Sequence, residues 1–378
     1  MKKKILFLIN DLKGGGAEKI LLDTVKEIDH NKYEINVCTI FNDGIYDMQI
    51  KEYCDAFLNI YNIKIFPKSL RKYIKSFLLR RIKYFNTKQL LCNFLSYDIM
   101  IAYLEGPSTK IIAECKKNCK KIAWVHIDPI ALPYSTKYFK NLEQEIKCYK
   151  NFDNILCVSS DVKKSFIAKY GSFKNVNVLL NLLDNDKVYK KSLETLTDDF
   201  ISMDKFTIIS VGRLAEQKSF IRLLEAVNEL HKSYKNIQLL ILGEGPDRRQ
   251  LENYINLNNM KPYVKLYGFI ENPYPLMKKS NLFVCSSITE GFSTVVCEAI
   301  LLGLPVVTTD CSGMHDILGN SKYGLIVENS TNGLINGINH ILEDRNYYNA
   351  LQLKSKERAS FFNKENRVKE LELILDKM

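Results

Sequence analysis

The stretch "SSITEGFSTVVCEAILLGLPVV", residues 286–307, carries two carboxylates, Glu290 and Glu298, eight positions apart. Between them lie Gly291, Phe292, Ser293 and Thr294 and then an apolar run. A carboxylate accepts paired hydrogen bonds from neighbouring hydroxyls or stabilises positive charge that develops beside it. A second segment, "SVGRLAEQKSF", ends a strand, opens a turn at Gly212, and bears Arg213 and, five residues on, Lys218. Arg offers a forked contact and Lys a point charge, so the pair suits a diphosphate. The helix after Glu290 is expected to begin near Ser293 or Thr294, which puts Glu298 in its second turn. Eight helical residues rise about 12 Å, the scale of a ribose and a sugar joined across a diphosphate. The first amides of that helix, from Phe292 to Val295, are expected to stay free for phosphate or sugar oxygens. Each feature alone also fits a plainer reading, a glutamate favouring a helix N-terminus or cations in water.

Other turns carry weaker signals. "NDLKGGGAEK" places Gly14, Gly15 and Gly16 between a strand and a helix start, where backbone can approach a ligand and a helix N-terminus attracts anions. It is not a dinucleotide fingerprint, because Lys19 stands where Gly or Ala is needed, and it lacks the GK[ST] of a phosphate-binding loop. "ILGEGPDRRQL" has Gly243, Glu244 and Gly245 at a strand end, and "LYGFIENPYPLMKKSN" has Gly268 and Phe269, where a flat base can lie. His126 in "AWVHID" and Glu105 in "AYLEGPS" end two further strands. A strand-end histidine is in general more often a structural hydrogen-bonder.

These turns need a scaffold, and the pattern supplies one. Short apolar runs alternate with helical periodicity from "KKILFLIN" to "VNVLLNLLD", with Asp161 as a candidate N-cap of "DVKKSFIAKYG". A polar stretch, 184–204, interrupts the alternation, which restarts at "FTIISVG" and runs to "YGLIVE". The end, 345–378, is helical and charged. Strands alternating with helices imply parallel sheets covered on both faces. The fold class is therefore α/β, two doubly wound Rossmann-like domains, with ligand expected beyond the carboxyl ends of the strands, in a cleft the two domains face.

A chain of 378 residues suits two domains. No apolar run reaches the roughly 18–20 residues of a membrane span. The run Ile5 to Ile9 after the first lysines is too short for a signal peptide and reads as a first strand. Ten cysteines without CxxC spacing suggest reduced thiols in a cytosol-like compartment and argue against a structural zinc. The net charge of +11 lies wholly in the first half: residues 1–184 hold 30 Lys and Arg against 19 Asp and Glu, and the remainder holds 24 of each. That half is expected to face something anionic.

Taken together, the motifs resemble the retaining glycosyltransferases of family 4, which have the GT-B fold. Glu290-Gly291-Phe292, Glu298-Ala299, Gly303 and Pro305-Val306-Val307 match the family's phrase with two glutamates separated by seven residues. "VGRLAEQKSF" is similar to its phosphate-binding segment, "GGGAEK" to its first glycine loop and "YGLIV" to its late strand. The resemblance spans nearly the whole chain and is strongest over 207–327. It implies an acceptor domain over 1–184, a nucleotide-sugar domain over 185–360, and a helix over 361–378 returning to the first domain.

The resemblance further implies that Arg213 and Lys218 contact the donor diphosphate, Glu298 the ribose and Glu290 the transferred sugar. Gly291, Phe292, Ser293 and Thr294 supply backbone contacts, Gly212, Gly243, Gly268 and Phe269 belong to the donor-binding set, and Gly15 and Gly16 approach from the other domain. His126 aligns with a histidine near sugar and acceptor; Glu105 is a guess for the acceptor. Arg213, Lys218, Glu290 and His126 would be the catalytic set, with no metal and no cofactor. His315 and Asp316 in "SGMHDIL" depart from the family's usual residues, which leaves sugar choice open. The Asp184-x-Asp186 string is a metal motif in a different transferase fold; in the linker it reads as structural.

The implied reaction moves a hexose or N-acetylhexosamine from a UDP-linked sugar to a lipid-linked or surface-polysaccharide acceptor of the capsule, exopolysaccharide or lipopolysaccharide kind, in a bacterial cytoplasm. A nucleotide-sugar epimerase and a silent sugar-nucleotide-binding partner are the competing readings. The basic first half disfavours the former, the intact charged set the latter.

Residues 63–91 hold nine Lys and Arg and no acid, with Ile74, Phe77, Leu78, Ile82 and Phe85 at helical spacing. That pattern fits an in-plane helix on an anionic membrane, peripheral on the inner face, which would present a lipid-borne acceptor. Interleaved aromatics also suit RNA, and an ordinary core-facing helix is the plain alternative; no nucleic-acid partner is expected.

Overall fold

The structure is a computed structural model that describes residues 1–91, 96–116, 118–195, 201 and 204–378. It divides into two compact units: Met1–Leu182 with Glu365–Met378, and Leu183–Lys364. Residues 196–200 and 202–203 of the polar stretch lie outside the described residues.

The first unit is built on a seven-stranded sheet. Its strands are β1 (Lys3–Ile9), β2 (Tyr33–Phe41), β3 (Ala56–Tyr61), β4 (Ile99–Ala102), β5 (Lys120–Val125), β6 (Asn154–Cys157) and β7 (Val176–Val178). All pairings are parallel, in the order β3-β2-β1-β4-β5-β6-β7. The second unit holds β8 (Phe206–Val211), β9 (Ile237–Leu242), β10 (Val264–Gly268), β11 (Leu282–Cys285), β12 (Val306–Thr309) and β13 (Leu325–Val327), again parallel, ordered β10-β9-β8-β11-β12-β13. Central strands read as unbroken apolar runs because helices cover both faces; all six residues of β9 are buried. In each sheet the order reverses beside one strand, between β1 and β4 and between β8 and β11. Loops diverge at such a point and leave room for a ligand.

Local details depart from the sequence reading. The polar stretch after residue 184 begins as a helix, Asn185–Ser192, because the Asp184 carboxylate caps it through Lys187 N at 3.1 Å. The helix Ser160–Tyr170 is capped by Ser159, whose Oγ accepts from Val162 N, not by Asp161, which lies inside its first turn. In the helix Lys68–Tyr84 the expected apolar face divides. Ile82 is buried and Ile74 and Leu78 pack on the core of the first unit, but Phe77 and Phe85 are each 66% exposed. Phe77 lies one step off the i, i+4 row of Ile74, Leu78 and Ile82, and Phe85 is already in extended backbone at the helix end.

The helix Lys364–Asp376 packs at the amino-terminal ends of β1 and β2. Leu371 and Leu375 are buried, Lys3 Nζ donates to Leu375 O at 2.8 Å, and Tyr33 OH donates to Asp376 Oδ1 at 2.6 Å. Burial, helped by Asp376, raises the Tyr33 phenol pKa. Leu375→Ala removes a fully buried side chain and is expected to lower unfolding stability by about 2–4 kcal/mol, read by urea denaturation; a change under about 0.5 kcal/mol would mean the helix contributes no packing.

Candidate active site

Because β8 and β11 are neighbours, the loops that follow them meet, although their residues lie 72 positions apart. Lys218 Nζ donates to Glu290 Oε1 at 2.5 Å. Ser287 Oγ donates to the same oxygen at 2.6 Å. The Lys218 side chain is 21% exposed and that of Glu290 9%. Burial works against the ammonium, but Glu290 outweighs it and the Lys218 pKa is raised. The loops are laced so that this meeting is fixed. Ile288 N donates to Gln217 O at 2.8 Å, Gln217 Nε2 to Thr289 O at 2.8 Å, and Ser286 Oγ to Lys218 O at 2.8 Å. Arg213 lies on the same loop, exposed and without an ion-pair partner among the described residues.

Around this pair the backbone comes unusually close to itself. Gly243 has φ +143°, and a Cβ there would stand 1.8 Å from Gly212 O, so the strand ends of β8 and β9 touch only because Gly243 carries no side chain. Gly243 N donates onward to Gly268 O at 2.8 Å, which carries the contact to β10, and Phe269 beyond it is 72% exposed. Gly313 has φ +84°, and a Cβ there would lie 2.4 Å from Gly291 O, so the turn into the helix Met314–Leu318, which bears His315, is pressed on the start of the glutamate segment. His315 itself faces Asp310, with Nε2 and Oδ1 3.0 Å apart.

The helix Thr294–Leu301 follows Ser293, which gives no side-chain cap. The Ser293 Oγ is buried without a hydrogen-bond partner. The first amides of a helix have no intrahelical acceptor, and here no side-chain cap meets them. Phe292 is buried beside them. Glu298, in the second turn, is 3% exposed and accepts from Tyr274 OH at 3.0 Å.

In the first unit, Gly15 and Gly16 stand at the start of the helix Gly16–Glu27. The Glu18 carboxylate folds back over them; a Cβ on Gly15 would meet it at 2.2 Å. The anion-attracting end is thus already faced by an acid of its own first turn. At the ends of β4 and β5, Glu105 and His126 come together. Glu105 Oε1 accepts from the His126 amide at 2.5 Å and the Ile127 amide at 2.8 Å. Glu105 Oε2 and His126 Nε2 are buried without partners. The imidazole stacks on Trp124, centroids 5.7 Å apart, and tilts on Tyr103 at 4.7 Å. Burial raises the Glu105 carboxyl to about 7 and lowers the His126 imidazole to about 3.

In the Asp184-x-Asp186 string, Lys364 Nζ lies 3.6 Å from Asp184 and 3.4 Å from Asp186. Among the described residues no group of His, Cys, Asp and Glu is arranged to hold a metal. Nine cysteines are free among those residues, and no helix there is long and apolar enough to cross a membrane.

A family profile described as Glycosyl transferases group 1 matches residues 194–358, the segment that carries Arg213, Lys218, Glu290 and Glu298. The chain is 30% identical over 369 residues, 96% of each protein, to the N-acetylgalactosamine-N,N'-diacetylbacillosaminyl-diphospho-undecaprenol 4-alpha-N-acetylgalactosaminyltransferase of Campylobacter jejuni. This chain belongs to the group 1 glycosyl transferases. The transferase is also 32% identical over 234 residues, 58% of each protein, to an uncharacterized glycosyltransferase of Methanocaldococcus jannaschii. Its fold is that of Anabaena HepE, solved with UDP and glucose: TM-score 0.75 at 19% identity, with all of both chains covered. The fold is therefore of the GT-B kind, two Rossmann-like α/β domains, and the protein is an enzyme.

Motif spacing singles out Arg213, Lys218, Glu290 and Glu298 but not the residues that hold them. Tyr274 sits between Pro273 and Pro275, where no periodicity marks it, and Ser287, Gln217 and Gly313 belong to turns whose meeting depends on strand order. The Glu105–His126 contact yields a pH prediction. Folded Glu105 keeps its proton between its ordinary 4.5 and about 7, so its contribution to stability is full below pH 4.5 and is lost as pH rises through 7. Folded His126 stays neutral, so its contribution is present above pH 6.5 and is lost as pH falls towards 3. Between pH 4.5 and 6.5 the two oppose each other. Glu105→Gln removes the first, and unfolding free energy should then climb with pH in that window by up to about 1.4 kcal/mol per unit relative to the parent. Denaturant titrations at several pH values measure this, and parallel curves would refute it.

Proposed function

We propose that the protein is a retaining, family 4 enzyme that moves a hexose or N-acetylhexosamine from a UDP-linked sugar to a lipid-linked or surface-polysaccharide acceptor. The observation that carries this reading is the Lys218–Glu290 contact beside an uncapped helix start. It sets a cation for the departing diphosphate against an acid for the sugar, on one wall. The Campylobacter relative, named for an acceptor on diphospho-undecaprenol, and HepE, solved with UDP and glucose, support the two substrate classes.

Arg213 and Lys218 take the charge that accumulates on the leaving diphosphate, together with the amides of Gly291 to Thr294. Donors already fixed in place where charge develops usually lower the barrier more than any other device. Glu298, oriented by Tyr274 OH, receives the ribose hydroxyls. Gly212, Gly243 and Gly268 leave space for phosphate and base, with Phe269 as a stacking surface. Glu290 meets the transferred sugar. On the first unit, Gly15, Gly16 and His126 are assigned to the sugar and Glu105 to holding the His126 loop. Departure and attack share one face of the sugar, so configuration is kept without a protein nucleophile, and no metal is required. The enzyme works in the cytoplasm, held on the inner face of the membrane by residues 63–91.

A thermal-shift panel of nucleotide sugars should show the largest stabilisation with a UDP sugar. Glu298→Gln and Lys218→Ala should each cut kcat/KM by about 10²–10³-fold with the fold intact by circular dichroism. Full activity in both variants would remove the donor-site assignment, and a product of inverted anomeric configuration by NMR would remove retention.

A further inference from the structure

The helix Lys68–Tyr84 turns two different faces outward, and one of them walls a cavity of about 600 Å³ within the first unit. Lys68, Arg71, Lys72, Lys75, Arg80 and Lys83 line it from the helix. Lys13, from the loop after β1, and Lys137, from the 3-10 turn Ser135–Tyr138, converge on it from two other elements. Asp43 is the one carboxylate among the described lining residues. With Asp11 it holds the back of the cavity: Lys75 Nζ donates to Asp43 at 2.6 Å and to Asp11 at 3.2 Å, and Lys13 Nζ lies 3.4 Å from Asp43. The Arg71 guanidinium is fixed by the carbonyls of Phe66 and Lys64, at 3.0 and 3.1 Å. Lys68, Lys72 and Arg80 have no carboxylate partner among the described residues.

Like charges crowded into a concavity repel one another unless a polyanion fills it, and the repulsion is strongest where walls exclude water. A single carboxylate ligand needs one or two of these cations. A diphosphate, with several charges and forked acceptor oxygens, uses many more.

The adjoining face of the same helix is apolar and uncovered. Leu70, Tyr73, Phe77 and Tyr84 are 48%, 71%, 66% and 54% exposed, and Phe66, just ahead of the helix, is 38% exposed. The spacing of three, four and seven from Leu70 to Tyr84 puts those four in one row. An exposed aromatic row flanked by lysine and arginine matches a helix lying in a lipid interface. A molecule that satisfies both faces has its charge in the cavity and its apolar part beside the row.

We propose that this cavity is a second phosphate site, built by the first unit alone, that holds the diphosphate joining an acceptor glycan to its lipid, while the Leu70–Tyr84 row rests in the lipid surface. This rests on the reading of the protein as a transferase with a lipid-linked acceptor. It sets the position of the acceptor's anionic link apart from Glu105 and His126. It also gives the charge excess of the first half a specific ligand, beyond a general attraction to membranes.

The test uses the full chain and phosphatidylcholine vesicles doped with polyprenyl diphosphate, or with phosphatidylglycerol at matched surface charge, and free inorganic diphosphate as competitor. The parent protein should bind the diphosphate vesicles at least about tenfold more tightly than the phosphatidylglycerol ones, with displacement by inorganic diphosphate and weakening by salt. Lys72→Ala with Arg80→Ala should abolish that preference and raise KM for a lipid-linked acceptor about tenfold, leaving KM for the nucleotide sugar unchanged. Tyr73→Ser with Phe77→Ser should weaken both vesicle types and leave inorganic diphosphate binding intact. Equal affinity for the two vesicle types, unaltered binding by the charge variant, or RNA oligonucleotide binding that the same variant abolishes and diphosphate does not displace, would each overturn the site. If UDP-sugar binding and transfer persist while the charge variant behaves as the parent, the cavity assignment fails alone. If no nucleotide sugar binds while diphosphate vesicles still do, it is the transferase reading that fails.

Discussion

An ammonium and a carboxylate, both largely withdrawn from water, meet 2.5 Å apart at the ends of two adjacent strands, and much of the second unit is arranged to allow it. Taking either charge out of water alone costs several kcal/mol, so Lys218 and Glu290 depend on each other and on the Ser287 hydroxyl that shares the carboxylate. The Gln217 and Ser286 hydrogen bonds lock the two loops in register, which prevents the pair from separating into solvent. In the proposed reaction an entering diphosphate draws on a lysine that is already charged and already fixed. Little reorganisation is then left for the chemical step.

Backbone proximity is the second constraint. The strand ends of β8, β9 and β10 approach one another through Gly212, Gly243 and Gly268, and the Gly291 and Gly313 loops touch. A Cβ on Gly243 or Gly313 would collide with the facing backbone. The same bareness leaves the first amides of Thr294–Leu301 without a side-chain cap. An unfilled helix start is a cost in an isolated protein and an asset in a liganded one.

The first unit handles charge in two contrasting ways. At the end of β4 a carboxyl is buried so completely that it holds its proton to about pH 7, its Oε1 given to two backbone amides that set the His126 loop. On the helix Lys68–Tyr84 the charges are kept close together, with Asp11 and Asp43 the carboxylates set against them among the described residues. One arrangement fixes a loop; the other leaves a field unspent.

How much of this was written in the sequence follows from which interactions are local. Apolar runs alternating with helical periodicity determine two parallel α/β sheets, because a run buried on both faces has no other stable partner. Motif spacing likewise marked Arg213, Lys218, Glu290 and Glu298, and the start of the helix at Thr294. Strand order is not local: nothing between residues 218 and 290 states that β8 lies beside β11, yet that adjacency alone brings the lysine to the glutamate. Tyr274 on Glu298, Glu18 over Gly15, and Ser159 in place of Asp161 as a cap were also decided by geometry, since several nearby residues could serve and only packing selects one. The apolar face of Lys68–Tyr84 divided for the same reason. Periodicity names the residues that share a side of a helix, but only the neighbouring core determines how wide a strip it covers, and here Ile74, Leu78 and Ile82 were taken in while Phe77 stayed in water.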